Sequence, residues 1–177
     1  MFITTDRMRE LRVINHAVEK SWGNNSYDLR LHENYTMLDS FAETLSMDKK
    51  AFENKPFKAV DGFIVIKPQE SILVRSIEII TVPQGYIALL SPRSNLSYVF
   101  DLFHSKLCDT GFEGFITMRI KNPQNRDLRL PVGLRFSQIM YSLSQDVSTM
   151  YKHRPSSKNL DYFDDSYPTW KLDKEYL

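Results

Sequence analysis

Residues 83–96 read PQGYIALLSPRSNL, and the fold class follows from this stretch. Pro83-Gln84-Gly85 is turn chemistry, because proline presets φ and glycine accepts a positive φ. Tyr86–Leu90 is a short run of β-prone apolar residues. Ser91-Pro92 stops it, because proline cannot donate to a strand ladder. The same pattern recurs on both sides. Phe63–Ile66 ends at Pro68, and Ile72–Val74 and Ile77–Val82 end at Pro83. Phe115–Ile120 ends at Asn122-Pro123, Leu128–Leu130 ends at Pro131-Val132-Gly133, and Phe136–Leu143 follows. Short strands at intervals of roughly ten residues, with turn signals between them, predict an all-β barrel or sandwich.

Towards the amino end the period changes. Met8, Leu11, Ile14 and Val18 recur at spacings of three and four, with Thr5 or Asp6 as a cap. Residues 5–20 are therefore predicted helical, until Gly23-Asn24-Asn25 breaks them. Ser26–Leu31 (SYDLRL) alternates, with Tyr27, Leu29 and Leu31 on one face and Asp28 and Arg30 on the other, and predicts a strand. Residues 32–58 are polar and poorly periodic, and are predicted as loop with one short strand. Residues 1–143 form the expected domain. Residues 144–177 are rich in Ser, Asp, Lys and Tyr, hold Pro155 and Pro168, and predict an extended tail. A loosely attached end is one reading of it. Tyr151, Tyr162, Phe163, Tyr167, Trp170 and Tyr176 give it much aromatic surface, which favours a flap that docks over a ligand.

Composition narrows the function classes. The 177 residues fit one domain, and 42% hydrophobic residues are enough for a core. Lys and Arg number 23 against 22 Asp and Glu, which argues against duplex DNA or an anionic membrane as bulk partner. A local phosphate site needs only a few cations. Cys108 is the single cysteine, so no intramolecular disulfide and no cysteine-based zinc site can form. No apolar run approaches a membrane span and the amino end has no signal-peptide core, so a soluble, cytoplasmic protein is expected. His16, His32, His104 and His153 fall in no HxxxH or HxE pattern, which disfavours a zinc deaminase. There is no Walker A motif and no GxGxxG. Cys108 reads as a small buried hydrophobe.

Four segments carry chemistry. Ser91–Leu96 presents hydroxyls, backbone N–H groups and the Arg93 guanidinium, which are phosphate donors; alone it is an ordinary turn. Asp109-Thr110-Gly111-Phe112-Glu113-Gly114 places two glycines beside an Asp before a strand, so backbone can approach a ligand; alone it is a hairpin turn. Pro131–Met140 opens a strand with Arg135 and Gln138 three apart; alone it is a strand with a polar face. Ser26–Leu31 is the fourth.

In this order the segments resemble the shared motifs of the dCTP deaminase/dUTPase superfamily. Tyr27-Asp28-Leu29 is similar to its early YDL or VDVRL strand, and Pro83–Leu96 to the strand entering its RSS or PRSGL turn. Asp109–Gly114 resembles DPGWxG of the deaminases and DxDYxG of the dUTPases. Asn122 resembles the Asn that closes that hairpin, and Pro131–Met140 resembles PGxRIxQL. Tyr151 and, seven residues on, Lys158 resemble the deaminase tail. The resemblance implies a distorted, jelly-roll-like β-barrel of dUTPase type, with an N-terminal helix, assembled as a homotrimer with sites between subunits. It implies that Arg93, Ser94 and Asn95 bind phosphates, and that Asp109, Gly111 and Phe112 hold sugar and base. Arg135 and Gln138 would join from the late strand, Tyr151 and Lys158 from a closing tail. Mg²⁺ would be carried by the triphosphate.

The departures are as informative. The deaminases carry a proton-moving Glu five residues beyond the hairpin glycine; here that position is Arg119, which stays protonated and cannot be a general base. They carry an Arg four residues after the turn serine; here it is Tyr98. The stretch between Leu96 and Asp109 is slightly short. The dUTPases end in a Gly-rich motif, yet no glycine follows Gly133. The residues favour dUTP hydrolysis to dUMP and pyrophosphate, with Asp109 positioning the water. A catalytically silent trimer that binds nucleotide or protein, and a dCTP deaminase with a replaced base, are the alternatives. An Arg119 lining the base pocket excludes ordinary deamination, whereas an outward Arg119 would signal a one-residue slip of the strand.

Overall fold

The computed structural model describes residues 1–40, 52–96, 98–99, 101–103 and 106–144. Helix α1 (Thr5–Glu10) precedes β1 (Ile14–Asn15), a 3-10 turn (Glu19–Ser21), β2 (Tyr27–Ser40) and β3 (Phe52–Lys58). Then come β4 (Phe63–Ile66), β5 (Ser71–Thr81), β6 (Tyr86–Pro92) and a second 3-10 turn (Ser94–Leu96). β7 (Asp101–Phe103), β8 (Lys106–Cys108), β9 (Glu113–Lys121), β10 (Leu128–Pro131) and β11 (Arg135–Leu143) complete the described chain. The main sheet runs β7-β9-β5-β2-β11-β6-β8, with β1 added to β5 and β3 to β2, and β4 pairs β10 separately. The sheet curls back on itself: Lys106 Nζ, on β8, donates to Thr117 O at 3.0 Å on β9, near the opposite end of the strand order.

The mostly β expectation is borne out, and alternation sets the faces. Tyr27, Leu29 and Leu31 are fully buried, and in β9 Gly114, Ile116, Met118 and Ile120 turn inward while Glu113 and Arg119 are exposed. Each fully buried Leu, Ile or Phe contributes roughly 1.5–3 kcal/mol, so this face holds the sheet closed.

Two expectations are corrected. The helix ends at Glu10 rather than continuing to residue 20, and its cap is Thr4, whose hydroxyl accepts from Arg7 N. Arg12 takes a φ of 51°, Thr81 N donates to Val13 O at 2.9 Å, and Ile14 and Asn15 pair with Ile80 and Ile79. A short helix is marginal alone, and the unpaired backbone at the edge of β5 is the stronger partner. Residues 32–58 are not mainly loop. β2 runs through Ser40 and pairs β3 from Asn34↔Lys58 to Ser40↔Phe52, with Tyr35 and Phe57 stacked at 5.6 Å. Its described side chains mix polar and apolar residues (Asn34, Tyr35, Thr36, Met37, Pro56, Phe57, Lys58), so no apolar alternation marks it in the sequence. The two runs Ile72–Val74 and Ile77–Val82 merge into β5, with a register irregularity between Arg75 and Ile79 against β9. The tail expected over 144–177, with Tyr151 and Lys158, lies beyond the described residues after Ser144. No helix among the described residues is long and apolar enough to cross a membrane.

Asn122 shows how the turn after β9 is fixed. Its buried amide donates to Ile66 O at 2.9 Å and Arg126 O at 2.8 Å, and its carbonyl accepts from Gln124 N at 3.0 Å. Asn122→Ala removes three bonds of about 1 kcal/mol each and strands two carbonyls, so urea denaturation should show a loss of about 3 kcal/mol.

Candidate functional site

One polar cluster forms where β2, β6 and β11 meet. In the register, Gln138 faces Asp28 on one side and Ser91 on the other. The Asp28 carboxylate accepts from Gln138 Nε2 at 3.0 Å and lies 3.3 Å from Arg93 Nε and 3.5 Å from Arg135 Nη1. Arg93 sits just past β6, tied by its own N–H to Phe136 O at 3.2 Å, and Arg135 Nη1 also donates to Lys20 O at 2.9 Å. Two guanidiniums face one carboxylate, so the cluster carries a surplus positive charge and outward N–H groups. That is the donor set an anion needs. Ser137 Oγ donates to Ser91 O at 3.0 Å and steadies the strand pair beneath it.

The structure thus gathers Arg93, Arg135 and Gln138, which lie far apart in sequence. Ser94 and Asn95 follow directly in the 3-10 turn Ser94–Leu96, with Asn95 exposed. Asp28 is the member that sequence reading placed on the strand but gave no role. Its signal was present: a carboxylate on the polar face of SYDLRL, opposite a late strand carrying Arg and Gln.

The second group is the connection from β8 to β9; the hairpin expected here is not formed, because β8 pairs β6 while β9 pairs β5 and β7. Gly111, at φ 90°, donates to Val82 O at 2.8 Å, Val82 N donates to Phe112 O at 2.8 Å, and Phe112 N donates to Asp109 O at 3.0 Å. Thr110 Oγ1 donates to Tyr86 O at 2.6 Å. The backbone is pinned at every step, yet the exposed Asp109 carboxylate has no hydrogen-bond or ion-pair partner among the described residues. The neighbouring Cys108 thiol is buried and pushed up to about 12, chiefly by that burial, so it is no nucleophile near neutral pH. Tyr98 is 84% exposed.

Arg119 points outward, which corrects the expectation that an outward side chain here marks a slip of the strand. The strand has not slipped, because a shift of one residue would bury Arg119 and expose Ile116, Met118 and Ile120. Arg119 pairs in register with Leu73 of β5 and Phe103 of β7, and no ion pair joins it to Asp109. β9 and β11 are separated by β5 and β2 in the strand order, so Arg119 does not belong to the Asp28 cluster.

A family model described as dCTP deaminase-like matches residues 3–144. A dUMP-forming dCTP deaminase of Sulfurihydrogenibium sp. is 30% identical over 129 residues, covering 70% of this chain and 71% of that protein. A dUMP-forming dCTP deaminase of Persephonella marina is 31% identical over 127 residues, covering 69% of each. Among solved structures, the 2'-deoxycytidine 5'-triphosphate deaminase of Agrobacterium tumefaciens superposes with a TM-score of 0.65 at 15% identity. That match covers 81% of this chain and 48% of the other, so the chain spans about half the length of the Agrobacterium protein. At such identity the likeness speaks for the fold, and it bears out the curled, jelly-roll-like β architecture.

Proposed function

Because the chain belongs to the dCTP deaminase-like family, we propose that it binds pyrimidine deoxynucleoside triphosphates and hydrolyses dUTP to dUMP and pyrophosphate without deaminating dCTP. The observation that carries this reading is the Asp109 carboxylate, exposed on a turn whose backbone is pinned. Asp109 presents an exposed carboxylate on a pinned backbone, while Arg119 presents a guanidinium where the family motif has its proton-moving Glu. The relatives' names describe conversion of dCTP to dUMP, which requires loss of both the amino group and the terminal diphosphate. Arg119 cannot accept the proton that the first loss requires.

In that reaction a water oxygen attacks the α-phosphorus, the bond to the bridging oxygen breaks, and pyrophosphate leaves. Asp109 takes the water proton. Arg93, Arg135 and Gln138 hold the phosphate chain, with Ser94 and Asn95 beside them. Mg²⁺ riding on the triphosphate would neutralise charge on the leaving group. In a single chain the Asp109 turn and the Arg93 cluster are separate, which supports a site shared between the subunits of a homotrimer. The tail, through Tyr151 and Lys158, would close over it as a flap on the domain of residues 1–143.

The test is to incubate the purified chain with Mg²⁺ and dCTP, dUTP or dTTP and resolve the products by ion-pair chromatography. Release of dUMP and pyrophosphate from dUTP, with dCTP unchanged, is expected. Conversion of dCTP to a uracil nucleotide overturns the argument from Arg119. No turnover of any substrate replaces this reading with a catalytically silent, nucleotide-binding homologue.

A further inference from the structure

Asp28 sits where simple electrostatics would not put it. Its side chain is only 10% exposed, and it lies against the two guanidiniums read above as phosphate ligands. A carboxylate beside an anion site repels the anion. Asp28 also draws charge from Arg93 and Arg135 that a phosphate would otherwise use. Its presence needs another contribution to offset this cost.

The contacts supply one. Arginine loses rotamer freedom when it is fixed, and its fork binds phosphate well only when correctly aimed. Asp28 engages Arg93 through Nε, at 3.3 Å, so the two Nη groups are left as the fork that meets a ligand. Arg135 is held by Nη1 alone, between Asp28 and Lys20 O. Gln138 is held by one N–H of Nε2, which leaves the second N–H of that amide as a donor. One buried acceptor thus orients three ligand side chains, two on β11 and one just past β6.

We propose that Asp28 is a positioning residue for the phosphate chain, fixing the Arg93 and Arg135 guanidiniums and the Gln138 amide at the expense of local repulsion. The inference rests on reading this cluster as the phosphate site. Charge and orientation predict opposite signs for one substitution. Asp28→Asn removes a negative charge and so tightens anion binding if charge decides. It also turns an acceptor oxygen into a donor N–H₂ facing the guanidiniums, and so weakens binding if orientation decides.

The experiment is calorimetric titration of the full chain with inorganic triphosphate and with dUTP, both in EDTA so that no metal-ligand role intervenes. D28N is expected to weaken both ligands about tenfold or more, which corresponds to ~1.4 kcal/mol. Arg93→Lys keeps the charge, sits at a partly exposed position and loses the fork, and is expected to weaken both ligands similarly. The double variant should lose much less than the product of the two single losses, because both changes disable one unit. Unchanged or tighter binding by D28N overturns the proposal. If D28N fails to fold by thermal melt, R93K decides: wild-type affinity in R93K overturns it as well. If the wild-type chain binds triphosphate but not dUTP, the nucleotide reading fails while the positioning test proceeds on triphosphate. If it binds neither, there is no anion site and both fall.

Discussion

Replacing Asp109 by Asn is expected to lower dUTP turnover by about 10²–10⁴-fold while leaving dUTP affinity nearly unchanged. The expectation rests on what the turn does with its polar groups. The Gly111, Phe112 and Thr110 contacts consume the backbone and hydroxyl groups around Asp109, so the turn holds its shape without help from the carboxylate. An exposed side chain that does no structural work can be made isosteric and neutral at little cost to the fold, usually within about 0.5 kcal/mol. Any large effect then belongs to the reaction. Separate measurement of kcat and of the dUTP dissociation constant makes the distinction. A large fall in kcat at constant affinity fits a group that acts on the attacking water. A loss below about tenfold would remove Asp109 from the chemistry, and the hydrolytic water would have to be activated elsewhere.

Arg119 belongs to the same argument, because it separates the two halves of dUMP formation. Amino-group loss needs a group at that position that both takes and gives a proton. Phosphate-chain cleavage needs only an aimed water and charge neutralisation. On the proposed reading, Arg119 removes the first requirement, while Asp109, the Arg93 turn and Arg135 with Gln138 meet the second.

How much of this was legible in the sequence varied with how local the determinant is. β4, β6, β9, β10 and β11 were readable because each is an apolar run bounded by Pro, Gly or Asn, and both signals act within a few residues. The helix over residues 5–20 was misread because Ile14 satisfies a helical spacing and a strand equally well. The winner was decided by the backbone of β5, some 65 residues away, which no local pattern encodes. The ribbon of β2 and β3 was missed because its mix of polar and apolar residues shows no alternation, so its only signature is the partner strand itself. The site divided in the same way. Arg93, Arg135 and Gln138 could be nominated from motif context, but their convergence on Asp28 depends on β11 lying between β2 and β6. That order is a property of the assembled sheet. The acid was therefore visible as a residue and invisible as a hub.

The same sheet order creates the cluster with the largest expected effect on stability. Glu78 is fully buried, yet it is not isolated: it accepts from Tyr27 Oη at 3.0 Å, Arg30 N at 2.9 Å and Arg30 Nε at 2.7 Å. Tyr27 Oη in turn accepts from Val18 N at 3.0 Å, and Arg30 Nη2 donates to His16 O at 2.7 Å. The carboxylate on β5 therefore ties together β2 and the segment between β1 and Glu19, which is the part of the chain that sequence reading mistook for helix. Glu78→Ala should cost about 3–5 kcal/mol in urea denaturation, because it leaves the Arg30 charge, 21% exposed at its side chain, without its partner. Glu78→Gln keeps the acceptor oxygen and the shape and should cost less, about 1–3 kcal/mol. Burial, and after it the Glu78 charge, raises the Tyr27 phenol above its ordinary value, so the neutral phenol is favoured in the fold. That contribution is complete below a pH of about 10 and is lost as pH rises through the raised value. The decisive comparison is Arg30→Met combined with Glu78→Leu. Removing both charges relieves the desolvation cost of each, so the double variant should be more stable than Glu78→Ala. If it is instead less stable than Glu78→Ala by the full cost of a second lesion, the ion pair is not a coupled unit, and the placement of residues 14–19 depends on packing rather than on this carboxylate.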